Sequence, residues 1–170
     1  TGTVAGNWAS AAVNALGDNP PPGWLFNWDK ALTIQFDVDR YFPGIATTRY
    51  AYMHLSTGTP YQDLANTDHG FAIRINRNGL VLTAESANGT TTSSASMGTV
   101  PISTFTRYKI VWTPGSKVEY YVNDSLAATI TTSLPSGLIG SVSLSGGVRT
   151  PDTENMVLYI HRVVFAQDWD

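Results

Sequence analysis

At 170 residues the chain is long enough for one well-buried domain, since a domain of about 150 residues buries roughly 70% of its unfolded surface. Charged residues make up only 14% of it, 10 basic against 13 acidic for a net charge of -3, and no Lys/Arg cluster exists, which excludes binding to nucleic acid driven by counterion release. The absence of cysteine excludes disulfides and thiolate metal sites, and the absence of an 18-residue apolar run excludes insertion of a helix into a membrane.

Residues 1 to 30 are irregular in composition and read as an N-terminal arm packed on the rest. Within them Ala9 to Leu16 is the one segment expected to form a short helix, Asn19-Pro20-Pro21-Pro22-Gly23 breaks any regular structure, and Trp24, Leu25, Phe26 and Trp28 form an apolar cluster expected to pack inward. From Ala31 a period of two begins. Leu32, Ile34, Phe36 and Val38 alternate with Thr33, Gln35, Asp37 and Asp39, the pattern of a half-buried strand. A second strand runs from about Thr48 to Leu55, with Ala51, Met53 and Leu55 on one face and Tyr50, Tyr52 and His54 on the other. Phe71, Ile73 and Ile75 then alternate with Ala72, Arg74 and Asn76, and Asn78-Gly79, the strongest short hairpin signal, turns the chain into Leu80, Leu82 and Ala84.

Residues 87 to 99, polar and of low complexity, are compatible with a weak strand or a loop. The clearest signal follows. From Arg107 to Ile130 a meander of three strands is expected: Tyr108, Ile110 and Trp112, then Val118, Tyr120 and Val122, then Leu126, Ala128 and Ile130, separated by turns at Thr113 to Ser116 and Asn123 to Ser125. Val142 and Leu144 mark another strand. Residues 156 to 165, apolar at both parities, read as a central strand covered on both faces. About ten strands with Gly, Pro and Asn turns and no long helical period make the chain all-β, a two-sheet antiparallel β-sandwich or jelly roll in a single domain, 1 to 170. The chain begins at Thr1 and not at Met, so a processed protein or a domain of a longer one is expected.

Three stretches resemble the concanavalin A-like lectin and glucanase jelly rolls, which include laminin G-like modules: Tyr108 to Trp112, Val118 to Val122 with its Asn123-Asp124 turn, and the closing run Tyr159 to Phe165. The resemblance covers roughly residues 30 to 170; it implies that fold and, by analogy, sugar binding. The enzymes it includes carry motifs that this chain lacks. Retaining β-glucan hydrolases need two carboxyl groups about 5 to 5.5 Å apart, whereas Glu85, Glu119 and Glu154 each stand alone, and Asp37 with Asp39 reads as a solvated strand end beside Arg40. Alginate lyases of this kind use an Arg-x-Glu-x-Arg strand where this chain has Arg49-Tyr50-Ala51-Tyr52-Met53-His54. The resemblance therefore implies a non-catalytic member.

Tyr50, Tyr52 and His54, projecting from one strand face, make an aromatic platform with polar tips of the kind that holds neutral sugars, and Gln35, Asp37 and Arg74 have the strand parity to join it. The competing reading of the tyrosines is a filled layer of the sandwich. No catalytic residue and no metal ligand set is expected: His54, His69 and His161 lack ligand spacing, and Asp63, Asp68, Asp152 and Glu154 lack the carboxylate density of a calcium loop, so no cofactor is assigned and a rim calcium ion has no motif behind it. The outward residues of the meander, Lys109, Val111, Lys117, Glu119 and Tyr121, are read as scaffold. The expected function is a carbohydrate-recognition module of a larger extracellular, cell-surface or virion-surface protein with a glycan or polysaccharide as partner. The alternatives are a structural virion jelly roll that forms homo-oligomers or contacts capsid or tail proteins, and an unrecognised polysaccharide lyase or hydrolase.

Overall fold

The structure, a computed structural model, describes residues 8–14, 26–41, 50–57, 64–76, 81–99, 105–139, 142–149 and 157–167. Among these residues there is no helix, and so none long and apolar enough to cross a membrane. The strands in chain order are β1 (Trp8–Asn14), β2 (Phe26–Asn27), β3 (Leu32–Tyr41), β4 (Tyr50–Ser56), β5 (His69–Asn76), β6 (Val81–Asn88), β7 (Thr92–Thr99), β8 (Thr106–Thr113), β9 (Lys117–Val122), β10 (Ser125–Ile130), β11 (Leu138–Ile139), β12 (Ser143–Arg149) and β13 (Val157–Gln167). They form a six-stranded sheet of order β1-β12-β4-β5-β6-β7, a five-stranded sheet of order β10-β9-β8-β3-β13, and a small β11-β2 pair, with every pairing antiparallel.

The alternation in the sequence decides which side chains meet between the sheets. Ala51, Met53, Leu55, Phe71, Ile73, Ile75, Leu82 and Ala84 from the larger sheet face Ile34, Phe36, Val38, Tyr108, Ile110, Trp112, Val118 and Tyr120 from the smaller, all essentially fully buried. At one end of this core the aromatic rings interlock: Phe26 on Trp28 at 4.7 Å, Trp28 edge-on to Phe71 at 5.3 Å, and Phe71 against Trp112 at 5.2 Å. The Trp112 indole N–H donates to the Trp28 carbonyl at 2.8 Å, which ties the segment around β2 to the meander. Trp28 and Trp112 thus lie in the core, as their neighbours in the sequence imply; Trp24 lies outside the described residues.

The meander is β8, β9 and β10. Its second turn has positive φ at both Asn123 (49°) and Asp124 (64°), the two-residue geometry whose twist matches a hairpin. The Asn123 side chain braces it by accepting the Arg107 N–H at 2.9 Å. The face expected of β10 is interrupted: its register shifts between Leu126 and Ala128, so Leu126 is 55% exposed while Ile130 is buried.

Three further expectations change. The segment expected as a short helix begins within β1, whose backbone pairs with β12 from Trp8 to Asn14; an alanine-rich stretch carries little strand signal of its own, and the tertiary pairing decides. Residues 87 to 99 resolve into a turn held by the Asn88 carboxamide oxygen, which accepts the Thr90 and Thr91 N–H groups, and the edge strand β7. Finally β13 is an edge strand, with Tyr159, His161, Arg162 and Val163 exposed. A bulge between Ile160 and Arg162 shifts its register, so apolar residues at both parities do not signify cover on both faces.

Candidate functional site

In β4 the residues between the core-facing Ala51, Met53 and Leu55 stand on the outer face of the six-stranded sheet, and the register places their neighbours. Tyr52 lies between Gly147 of β12 and Arg74 of β5, and the row continues through Thr83 of β6. His54 lies between Ser145 and Ala72, and that row continues through Glu85 of β6 and Ser94 of β7. His54 is held at both ring nitrogens, Nδ1 to Ser56 Oγ at 2.9 Å and Nε2 to Ser145 Oγ at 2.5 Å. A neutral imidazole satisfies this with one N–H donating to a hydroxyl and the other nitrogen accepting from the second. Arg74 Nη2 pairs with Glu85 Oε1 at 2.9 Å, diagonally across the β5–β6 ladder.

Burial grades across this face. Tyr52, His54, Ser56 and Ser145 are at most 2% exposed, the Arg74 side chain is 27% exposed, and Ser94 and Ser96 on β7 are exposed. Leu64 closes one end by packing on Ala72 and Ala87. From beneath, Tyr120 of the opposite sheet reaches through the core, and its hydroxyl donates to the Glu85 carbonyl at 2.5 Å. Burial first, and the Glu85 charge second, hold that phenol well above its ordinary pKa of 10. Tyr120→Phe removes this buried hydrogen bond and should lose about 1 kcal/mol. The raised pKa means that stability holds below pH 10 and is lost as pH rises above it, so the variant should also flatten the alkaline limb of a denaturation series.

No family model matches the sequence, and no curated protein is similar to it. Solved structures do match. The carbohydrate recognition domain of Emp47p aligns with 96% of this chain and 79% of its own, at a TM-score of 0.68 and 11% identity. The chain has the concanavalin A-like jelly-roll fold. The potassium-bound carbohydrate recognition domain of Emp46p matches at a TM-score of 0.62 and 13% identity, covering 93% of this chain and 87% of that one. An alginate lyase from Corynebacterium sp. matches at 0.59 and 15%, covering 96% and 78%. Both proteins that recognise sugars and proteins that cleave them are thus built on this jelly roll.

Of the residues singled out from the sequence, Tyr52, His54 and Arg74 come together on the outer face of the six-stranded sheet. The Tyr50 backbone pairs with Asn76 and Arg149, and its side chain lies outside those described. Gln35 and Asp37 do not join them. They stand on β3 in the five-stranded sheet, with the core between, because a period of two tells inside from outside and does not tell one sheet of a sandwich from the other. Glu85, which reads in the sequence as a carboxylate standing alone, and Ser145 complete the cluster. Among the described residues no three His, Asp or Glu side chains gather into a cation site.

Asp37 is not a solvated strand end. It is 5% exposed, and one carboxylate oxygen accepts from Arg107 Nε at 2.9 Å and from Gln35 Nε2 at 3.0 Å. From there a polar ladder crosses the outer face of the jelly roll's smaller sheet: Arg107 and Lys109 both reach Asp124, Lys109 lies 4.7 Å over the Tyr121 ring, and Glu119 accepts from Lys117 at 2.7 Å and from Tyr121. The meander's outward residues are therefore a linked constellation. Hydrogen bonds from Lys109 and then Arg107 lower the Asp124 pKa, while those accepted by Asp37 and then Asp124 raise that of Arg107. Charges neutralised in pairs and open to water brace a surface more than they perform chemistry.

Proposed function

We propose that the chain is a non-catalytic carbohydrate-recognition module, one sandwich domain spanning 1 to 170 with residues 1 to 30 as its N-terminal arm, in a larger extracellular, cell-surface or virion-surface protein. The glycan lies across β5, β6 and β7 on the outer face of the six-stranded sheet. The observation that carries this reading is the gradient on that face: a buried floor of Tyr52 and the hydrogen-bonded His54 and Ser145 passes through the buried Glu85 and its half-buried partner Arg74 to the exposed hydroxyls of Ser94 and Ser96. Polar groups fixed by their neighbours and opening onto hydroxyls suit a ligand that is itself rich in hydroxyls. The carbohydrate recognition domains among the structural matches support the same reading.

Two features favour recognition over cleavage. Glycoside hydrolysis takes two carboxyl groups, and Glu85 is the one carboxylate on the described part of this face, already paired with Arg74. Both His54 nitrogens are engaged with serine hydroxyls, which leaves neither directed at a ligand. A structural virion jelly roll that contacts copies of itself or capsid or tail proteins is the second reading, supported by the exposed, uncharged run Thr90, Thr91, Thr92, Ser94 and Ser96.

Calorimetry against a panel of neutral and acidic oligosaccharides tests the first reading. We expect saturable binding that weakens about tenfold in Arg74→Ala, the loss of one charged hydrogen bond, with a thermal melt confirming that the variant folds. Absence of binding across the panel would refute recognition, and release of unsaturated or reducing ends would replace it with catalysis.

A further inference from the structure

The outer face of the five-stranded sheet changes character where β3 meets β13. Over most of that face the side chains are charged, hydrogen-bonded and half-buried, yet Phe105 and Tyr159 are 55% and 56% exposed, and the exposed His161 ring lies 5.8 Å from that of Phe105. The register explains why the rings converge. Tyr159 is opposite Asp39 on one side of β3. On the other side Val38 is opposite Thr106, and one further step of the register sets Phe105 across from Asp39. Adjacent strands are about 4.8 Å apart, so the two aromatic positions flank the half-buried Asp39 at a separation of about 10 Å.

The β13 bulge is the device that completes the cluster. Tyr159 faces Asp39, Ile160 faces the core residue Val38, and the extra residue His161 then allows Arg162 to face Asp37. Without that insertion Arg162 would take the inward parity; with it, Tyr159, His161 and the exposed Arg162 are gathered beside Asp39.

Three part-exposed rings around a carboxylate and a guanidinium have a definite complement. The ring faces take the C–H face of a sugar, the carboxylate accepts from its hydroxyls and the guanidinium donates to them, and the opposite charges of Asp39 and Arg162 favour a ligand with no charge of its own. We infer that Phe105, Tyr159 and His161, with Asp39 and Arg162, form a second saccharide-binding site, for a neutral pyranose, on the sheet opposite the Arg74 face.

Amide chemical-shift titrations of the whole chain with neutral hexasaccharides of glucose and of mannose test this. We expect saturable shifts at Phe105, Tyr159 and His161, unchanged in Arg74→Ala, about tenfold weaker in the Phe105→Ala/Tyr159→Ala double variant, and unaffected by Leu126→Ala, which removes an equally exposed apolar side chain elsewhere on the sheet. Because Arg74→Ala disables only the other face, failure of the two sites reads separately. The inference is overturned if no hexasaccharide moves these resonances at millimolar concentration, or if they move with protein concentration and not with sugar, which would mark the cluster as a contact between copies of the chain.

Discussion

Trp112→Ala should destabilise the protein by about 4 kcal/mol, a large fraction of the total stability of a domain, which is of order 5 to 15 kcal/mol. Two losses combine. The indole is 1% exposed and packs on Phe71 at 5.2 Å, in the aromatic stack that runs through Trp28 to Phe26, so its removal leaves a cavity bounded by rings that have little freedom to collapse into it. It also leaves the Trp28 carbonyl without its 2.8 Å donor in a buried setting. Trp112→Phe separates the two, keeping most of the volume and losing the donor, and should cost about half as much. Urea denaturation of the three proteins gives the differences directly. If Trp112→Ala lost less than about 2 kcal/mol at unchanged m-value, the stack would not be the keystone of this end of the core.

Gly70→Ala should be comparably severe for a different reason. Gly70 sits opposite Ser56 with φ of 154°, and a Cβ there would run into the Leu55 carbonyl oxygen and stand 2.6 Å from Ser56 Cα. Those are backbone atoms of the adjacent strand, fixed by the ladder, so the collision can be relieved only by parting β4 from β5. Backbone strain and overpacking, each about 1 to 3 kcal/mol, sum to about 4 kcal/mol. Gly146→Ala is the internal control. There the new methyl meets first the Cδ1 of Ile160, the free end of a flexible side chain on an edge strand, and the loss should stay near 1 kcal/mol. Thermal melts of the two variants should therefore diverge widely, and equal melting temperatures would mean that the β4–β5 ladder yields more readily than its register implies.

The difference between these two glycines shows what could be read in the amino-acid sequence and what could not. Alternation at Leu32 to Val38, Ala51 to Leu55, Phe71 to Ile75 and Tyr108 to Trp112 identifies the inward residues, because one face of each strand must leave water, and the sandwich follows. Which strands are neighbours is not written in alternation. Asp37 and Gln35 have the parity of Tyr52 and His54 yet stand on the other sheet, and β1 pairs with β12 although more than a hundred residues separate them. Glu85 was within reach of the sequence. A two-residue Asn78-Gly79 turn sets Asn76 opposite Val81, the register observed, and that register alone puts Arg74 diagonal to Glu85. Ser145 carried no such signal, since the strand that brings it to His54 arrives from the far end of the chain. The edge position of β13 was hidden for a related reason: its apolar composition reflects a core-facing parity together with an aromatic cluster on the open face, and composition sums the two.

The same strand order has a consequence for how the protein is made. In the larger sheet β12 lies between β1 and β4, and in the smaller one β3 lies between β8 and β13. Neither sheet can close until residues 143–149 and 157–167 have left the ribosome, so during synthesis the meanders β4–β5–β6–β7 and β8–β9–β10 are the locally complete units among the described strands. Pairings of such long range put the folding time in the millisecond-to-second range. For that interval β4 keeps one open edge on the side that β12 will fill and β3 one on the side that β13 will fill, and open strand edges are where an incomplete sheet is prone to aggregate.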